Sequence, residues 1–214
     1  ITSLGNQHIT QLAQPGSMFR RARLFAASQL VEDRMELATE SAVTDRLLEP
    51  YRRLDNSNEA HPLGNPFNGD YQVLGATKSR RILVNVPFGV FQQPKWIPLH
   101  LVAGGLILEF ELDDALTGFS ETSGVDFQIT DVNMLANIHT VDSALANSYA
   151  SHVLRGNPLH LHYNTVVASR HLVTDNSFDI SLVRGFTRLK AIFAVLVKAG
   201  QQKATVFTSP FGTT

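Results

Sequence analysis

His160 and His162 are the one pair in this sequence with metal-ligand spacing. On an extended segment, side chains at i and i+2 share a face, so both imidazoles could reach one ion. A catalytic centre would need a third ligand, normally a carboxylate a few residues on. The residues that follow are Tyr163, Asn164, Thr165, Val166 and Val167, none of them acidic. His171 lies an odd number of residues from the pair and points to the other face unless a β-bulge intervenes. The pair therefore reads as surface or interface histidines, and no catalytic, metal or cofactor residue is assigned.

Three charged groups come next. Glu109, Glu111, Asp113 and Asp114 could take calcium, but alternation with apolar residues reads as the solvated face of a strand and its turn. Arg20, Arg21 and Arg23 form either a solvated face or a phosphate-facing arm that makes weak nucleic-acid contact. Arg184, Arg188 and Lys190 surround Gly185, as an exposed turn or as partners for acids on another subunit. The sequence has no Gly-x-x-x-x-Gly-Lys-Ser/Thr loop, no Gly-x-Ser-x-Gly elbow and no His-Glu-x-x-His helix. Ser, His and Asp all occur, but a triad is defined by geometry rather than spacing.

Composition narrows the classes. The 214 residues include 18 basic and 19 acidic ones, a balance that argues against a dedicated nucleic-acid binder. The absence of Cys removes disulfides, thiolate nucleophiles and Cys-ligated zinc together. No apolar run approaches the roughly 20 residues of a membrane helix, and residues 1–16 carry no basic-then-apolar leader. The first residue is Ile1, as in a processed or partial chain.

The elements that would position these residues fall into three stretches. Residues 1–54 read as a helical arm. Met18, Phe19, Ala22, Phe25 and Ala26 recur at helical spacing, and residues 30–49 carry a second, broken stripe that Pro50 closes. Residues 55–80 read as a turn-rich loop. Residues 81–214 read as a β-sandwich. Candidate strands are Ile82–Val86, Trp96–Val102, Leu106–Leu112, Phe127–Val132 with its continuation Met134–Val141, Leu159–Val173, Phe178–Val183, Leu189–Val197 and Ala204–Phe207. In the clearest of them, Leu108, Phe110 and Leu112 face inward opposite Glu109 and Glu111. One helix is inserted, capped by Asp142 and stopped at Gly156. About eight short strands in a chain of this size predict an all-β jelly-roll sandwich preceded by an N-terminal helical arm.

The order from Asp131 to Val197 is more specific. A β-run to Val141 leads into the Asp142-started helix, a long strand from Leu159 to Val173, a strand at Phe178–Val183 and an apolar run from Phe186. This order resembles one roll in the major capsid proteins of double-jelly-roll DNA viruses and related virus-like mobile elements. Trp96–Leu99 followed by Leu106–Leu112 is similar to the paired strands earlier in such a roll. The N-terminal segment and the polar loop depart from that pattern, and a single-jelly-roll capsid or penton-like protein stays open.

The resemblance implies a structural capsid protein without catalysis or cofactor. It would be made in the host cytoplasm or nucleus and built into the virion with copies of itself and other capsid proteins. A chain rich in apolar residues, with 13 Phe, can supply the subunit interfaces such a shell needs. Two alternatives compete. One is a metal-dependent, cupin-like jelly-roll enzyme using His160 and His162. The other is a β-sandwich module that binds carbohydrate or a receptor through Trp96, Tyr163 or loop aromatics.

Overall fold

The computed structural model describes residues 1–4, 15–47, 49, 51, 74, 77–114, 126–182, 185 and 187–194. Its centre is a hairpin of β2 (Phe19–Ala26) and β3 (Gln29–Met35), preceded by β1 (Thr2–Leu4) and a 3-10 turn at Pro15–Met18. The helical reading of residues 17–35 is thereby corrected. Ala22, Leu24 and Ala26 also alternate with Arg21, Arg23 and Phe25, and sheet pairing selects that period of two over the helical one. The hairpin turn is Ala27-Ser28, both at positive φ (48° and 64°). A two-residue hairpin turn requires positive φ and normally advertises it with Asn-Gly. Helix α1 (Leu37–Leu47) begins only after Glu36, itself at φ 56°.

β4 (Leu106–Leu112) adds antiparallel to β2, giving a three-stranded sheet in the order β3-β2-β4. The register places Ala22 opposite Arg34 and Phe110, and Leu24 opposite Glu32 and Leu108. One face thus carries Ala22, Leu24, Leu106, Leu108 and Phe110, together with the charged pair Glu32 and Arg34. It packs against Leu37, Val86, Phe88, Val90, Ile97, Leu161 and Tyr163. Phe88 is fully buried, with Phe91 and Phe110 at ring-centroid distances of 6.2 Å. Leu108 is half-buried on this face, as its alternation predicts. Phe110 and Leu112 are more exposed than expected, although Phe110 meets the rings of Phe19 and Phe88.

A second, two-stranded sheet pairs β1 with β5 (Asp126–Gln128). A smaller core of Ile1, Met18 and Leu74 lies with it, flanked by Phe19, Ile82, Val84, Phe127 and Ile129. Positive φ at Asp131 ends the extended run after β5. The chain also forms a short helix α2 (Gly89–Gln92) and a 3-10 turn at Leu99–Leu101, where a strand was expected. Pro98 accepts from Leu101 N–H at 2.9 Å and closes the chain into that turn. Helix α3 (Ser143–Leu154) follows its expected signals: Asp142 accepts from Ala144 N–H at 3.2 Å, and Gly156 stops it at φ 80°.

The described residues make a mostly β protein with few helices. The alternating runs at 82–86, 132–141, 159–173 and 178–182 carry no ladder among the described residues. Alternation marks a segment suited to a half-buried strand, but a strand exists only where a neighbour supplies hydrogen bonds. Most of the expected loop at 55–80, the end of the Leu189–Val197 run and Ala204–Phe207 lie outside the described residues.

The turn residues give the first prediction. Positive φ costs an L-residue roughly 1–2 kcal/mol. The double variant Ala27→Asn/Ser28→Gly is expected to stabilise the fold by about that amount, read as a higher melting temperature and urea midpoint.

Candidate functional site

The charged residues divide between the two faces of the three-stranded sheet. On the solvent face every arginine of the 20–23 group meets an acid of a neighbouring strand. Arg21 forms a two-pronged pair with Asp33, Nε–Oδ1 at 2.9 Å and Nη2–Oδ2 at 2.7 Å. Arg23 pairs with Glu109, and Arg20 reaches Glu111 at 3.7 Å. The acidic patch and the basic group identified in the sequence are therefore partners across strands. Nucleic acid would have to compete with these carboxylates for all three guanidinium groups.

The buried face holds a charged cluster that sequence reasoning missed. The Glu32 side chain is 1% exposed and that of Arg34 8%. Arg34 donates from Nη1 to Glu32 at 3.3 Å and to the Pro87 carbonyl, and from Nε and Nη2 to the two oxygens of Glu40. Glu40 sits in the first turn of α1, where the helix dipole favours an anion. Two carboxylates thus share one guanidinium. Neutral donors supply the rest: Gly89 N–H lies 3.0 and 3.2 Å from the Glu32 oxygens, and the Thr165 hydroxyl donates to Glu32 at 2.7 Å. Burial pulls the Arg34 pKa down, and the charge and hydrogen bond of Glu32 push it back up.

Two further details fix the segments that cover this cluster. Tyr163 donates its hydroxyl to the Val31 carbonyl at 3.3 Å; burial, then the Glu32 charge, raises its pKa. Gly89 lies so close under the chain that a Cβ there would be 1.8 Å from the Asn164 carbonyl oxygen. Only glycine lets the 88–90 segment reach Glu32 beneath residues 163–165. The signal for this cluster was the i, i+2 spacing of Glu32 and Arg34. It becomes legible only once residues 29–35 are taken as a strand.

The remaining candidates are placed as follows. His160 and His162 share a side of the extended chain, rings stacked with centroids 6.1 Å apart and planes 10° from parallel. Among the described residues no group of three His, Cys, Asp or Glu is placed to hold a metal ion. His171 is exposed. Lys95 donates to the His160 carbonyl at 2.9 Å, and the exposed Trp96 meets His139 edge-on at 3.9 Å. Tyr163, a candidate binding aromatic, is engaged by the fold. Arg188 and Lys190 are exposed, and Arg184 lies outside the described residues. A shallow depression on the sheet's solvent face is lined by Arg20, Arg21, Met35, Glu36 and Glu111. Beside it, burial raises the Asp113 pKa, partly offset by a 2.8 Å hydrogen bond from Asp114 N–H.

Removing one partner of a buried pair leaves an unmatched charge, which costs about 3–5 kcal/mol. Arg34→Ala is expected to destabilise by that order in urea unfolding. The double variant Glu32→Leu/Arg34→Met is expected to recover only part of the loss, because Glu40 and the Gly89 N–H also lose their partners. Asp113 gives a pH prediction. Its folded pKa lies above its unfolded one, so the folded state holds more protons between the two. Stability is therefore highest below the ordinary aspartate range and falls as pH rises through the folded pKa. Asp113→Asn should remove this slope and raise the melting temperature at pH 7.

The chain matches no protein-family model, no curated protein and no solved structure.

Proposed function

We propose that the protein is a structural subunit of a viral shell, a jelly-roll capsid protein that assembles from copies of itself and performs no catalysis. One observation carries this reading: residues 131–182 present large apolar side chains to solvent on chain that is extended or helical but forms no ladder among the described residues. Leu135 is 84% exposed, Ile138 80% and Leu154 86%, and Val132 and Leu172 are similar. Helix α3 has 12 residues and buries none of them. A helix that short is marginal in water without a packing partner.

Physical bookkeeping points the same way. Burying one such side chain contributes about 1.5–3 kcal/mol. Five together approach the roughly 4–15 kcal/mol that association costs in lost translational and rotational freedom. Exposed apolar side chains also recur along the sequence from Val132 to Leu182, a spread that suits a shell interface better than a small-ligand pocket. The jelly roll is then completed between subunits: the alternating runs at 132–141, 159–173 and 178–182 gain their ladders from neighbours. No helix among the described residues is long and apolar enough to cross a membrane. In this reading the protein resides in the particle shell.

Electron microscopy and light scattering of the purified chain test the proposal. Closed particles or large regular oligomers are expected. Leu135→Glu/Ile138→Glu, at two exposed positions, should abolish them while leaving the circular dichroism spectrum unchanged. A chain that stays monomeric at every concentration would overturn the reading.

A further inference from the structure

β4 is the outer strand of the three-stranded sheet, and no ladder forms on its far edge among the described residues. It is seven residues long, regular and without proline, the kind of edge that templates another strand. Its side chains alternate: Leu106, Leu108, Phe110 and Leu112 on the core face, Ile107, Glu109 and Glu111 on the solvent face. The Glu109 and Glu111 side chains are nearly half exposed, which leaves acceptor sites beyond those used by Arg23 and Arg20.

Residues 188–193 read Arg-Leu-Lys-Ala-Ile-Phe, the complementary pattern. They are exposed and unpaired among the described residues, with Ile192 and Phe193 each 63% exposed. No ion pair among the described residues reaches Arg188 or Lys190. We infer that residues 188–193 of one copy add as an antiparallel strand to the outer edge of β4 in a second copy.

The register follows from matching faces. With Arg188 opposite Glu111, Lys190 falls opposite Glu109 and Ile192 opposite Ile107. On the other face Leu189 meets Phe110, Ala191 meets Leu108 and Phe193 meets Leu106. All six pairs are complementary. A slip of one residue turns the charged side chains to the apolar face. A slip of two sets Ile192 against Glu109, or Lys190 against Ile107. A parallel arrangement that keeps both ion pairs sets Ile192 against Asp113. Opposite charges and apolar pairs directly across strands each stabilise by tenths to about 1 kcal/mol, so the matched register is favoured over every alternative.

Donor strand and acceptor edge are different patches, so the contact is head-to-tail and each copy both gives and receives a strand. This deepens the assembly reading, and the identity of the partner as a second copy rests on it.

Because the chain has no Cys, engineered thiols report without background. Full-length Ile107→Cys and Ile192→Cys proteins are mixed under mild oxidation and followed on non-reducing gels. A covalent dimer is expected, formed at least about tenfold faster than with the register control Glu109→Cys plus Ile192→Cys. In parallel, Arg188→Glu/Lys190→Glu should weaken self-association by about tenfold or more, with an unchanged circular dichroism spectrum. If the copies assemble but the matched pair links no faster than the control, the strand addition is wrong and the assembly reading stands. If the double variant Ile107→Cys/Ile192→Cys closes only within a monomer, the strand belongs to its own sheet and the inference is overturned. If the chain never associates, both fall together.

Discussion

A carboxylate placed where a sheet needs an apolar residue is the constraint around which this protein is arranged. Glu32 stands on the core face of β3 beside Arg34 and is almost wholly removed from water. An isolated charge there would be prohibitively costly, so the surrounding chain is organised to supply donors. Arg34 gives one, the 88–90 segment gives a backbone N–H, and residue 165 gives a hydroxyl. The second carboxylate, Glu40, holds the far end of the guanidinium and ties the start of α1 to the sheet. Four separate stretches of chain are joined at this point, and apolar packing by Phe88, Val90, Leu161 and Tyr163 closes around it.

The two faces of the sheet treat charge differently. On the solvent face the pairs of Arg20, Arg21 and Arg23 with Glu111, Asp33 and Glu109 are exposed or half-exposed, and such pairs contribute little to stability. They do favour the observed strand order, because the arginines of β2 lie between acids on β3 and β4. On the buried face the same kinds of side chain are expensive unless every hydrogen bond is made. Charge thus specifies strand order on one side and tertiary connection on the other.

How much of this is legible in the sequence depends on where the decisive information sits. Leu106–Leu112 declares itself as a strand because Leu and Glu alternate strictly, and α3 because Asp142 and Gly156 are local signals. The hairpin is not legible. Its turn uses Ala27-Ser28 where glycine or asparagine would have announced it, and the apolar residues of 18–26 fit both a helical and a strand period. Pairing with β4, some eighty residues away in sequence, decides between them. The buried cluster is illegible for the same reason: Glu32 and Arg34 become a core pair only once β3 exists. The His160–His162 pair shows the converse. Its spacing survives in the structure, but the described residues bring no third ligand to it.

The hydrogen bond from Thr165 to Glu32 spans 133 positions of chain, and that from Gly89 spans 57. A polypeptide leaving the ribosome exposes the hairpin long before either donor has been made. Until then the donor set around Glu32 is incomplete, with Arg34 the partner that the hairpin itself carries. The latch therefore forms late, after residues 163–165 have emerged. Synthesis itself thus sets the order in which the partners of Glu32 become available: Arg34 first, the 88–90 segment next, Thr165 last.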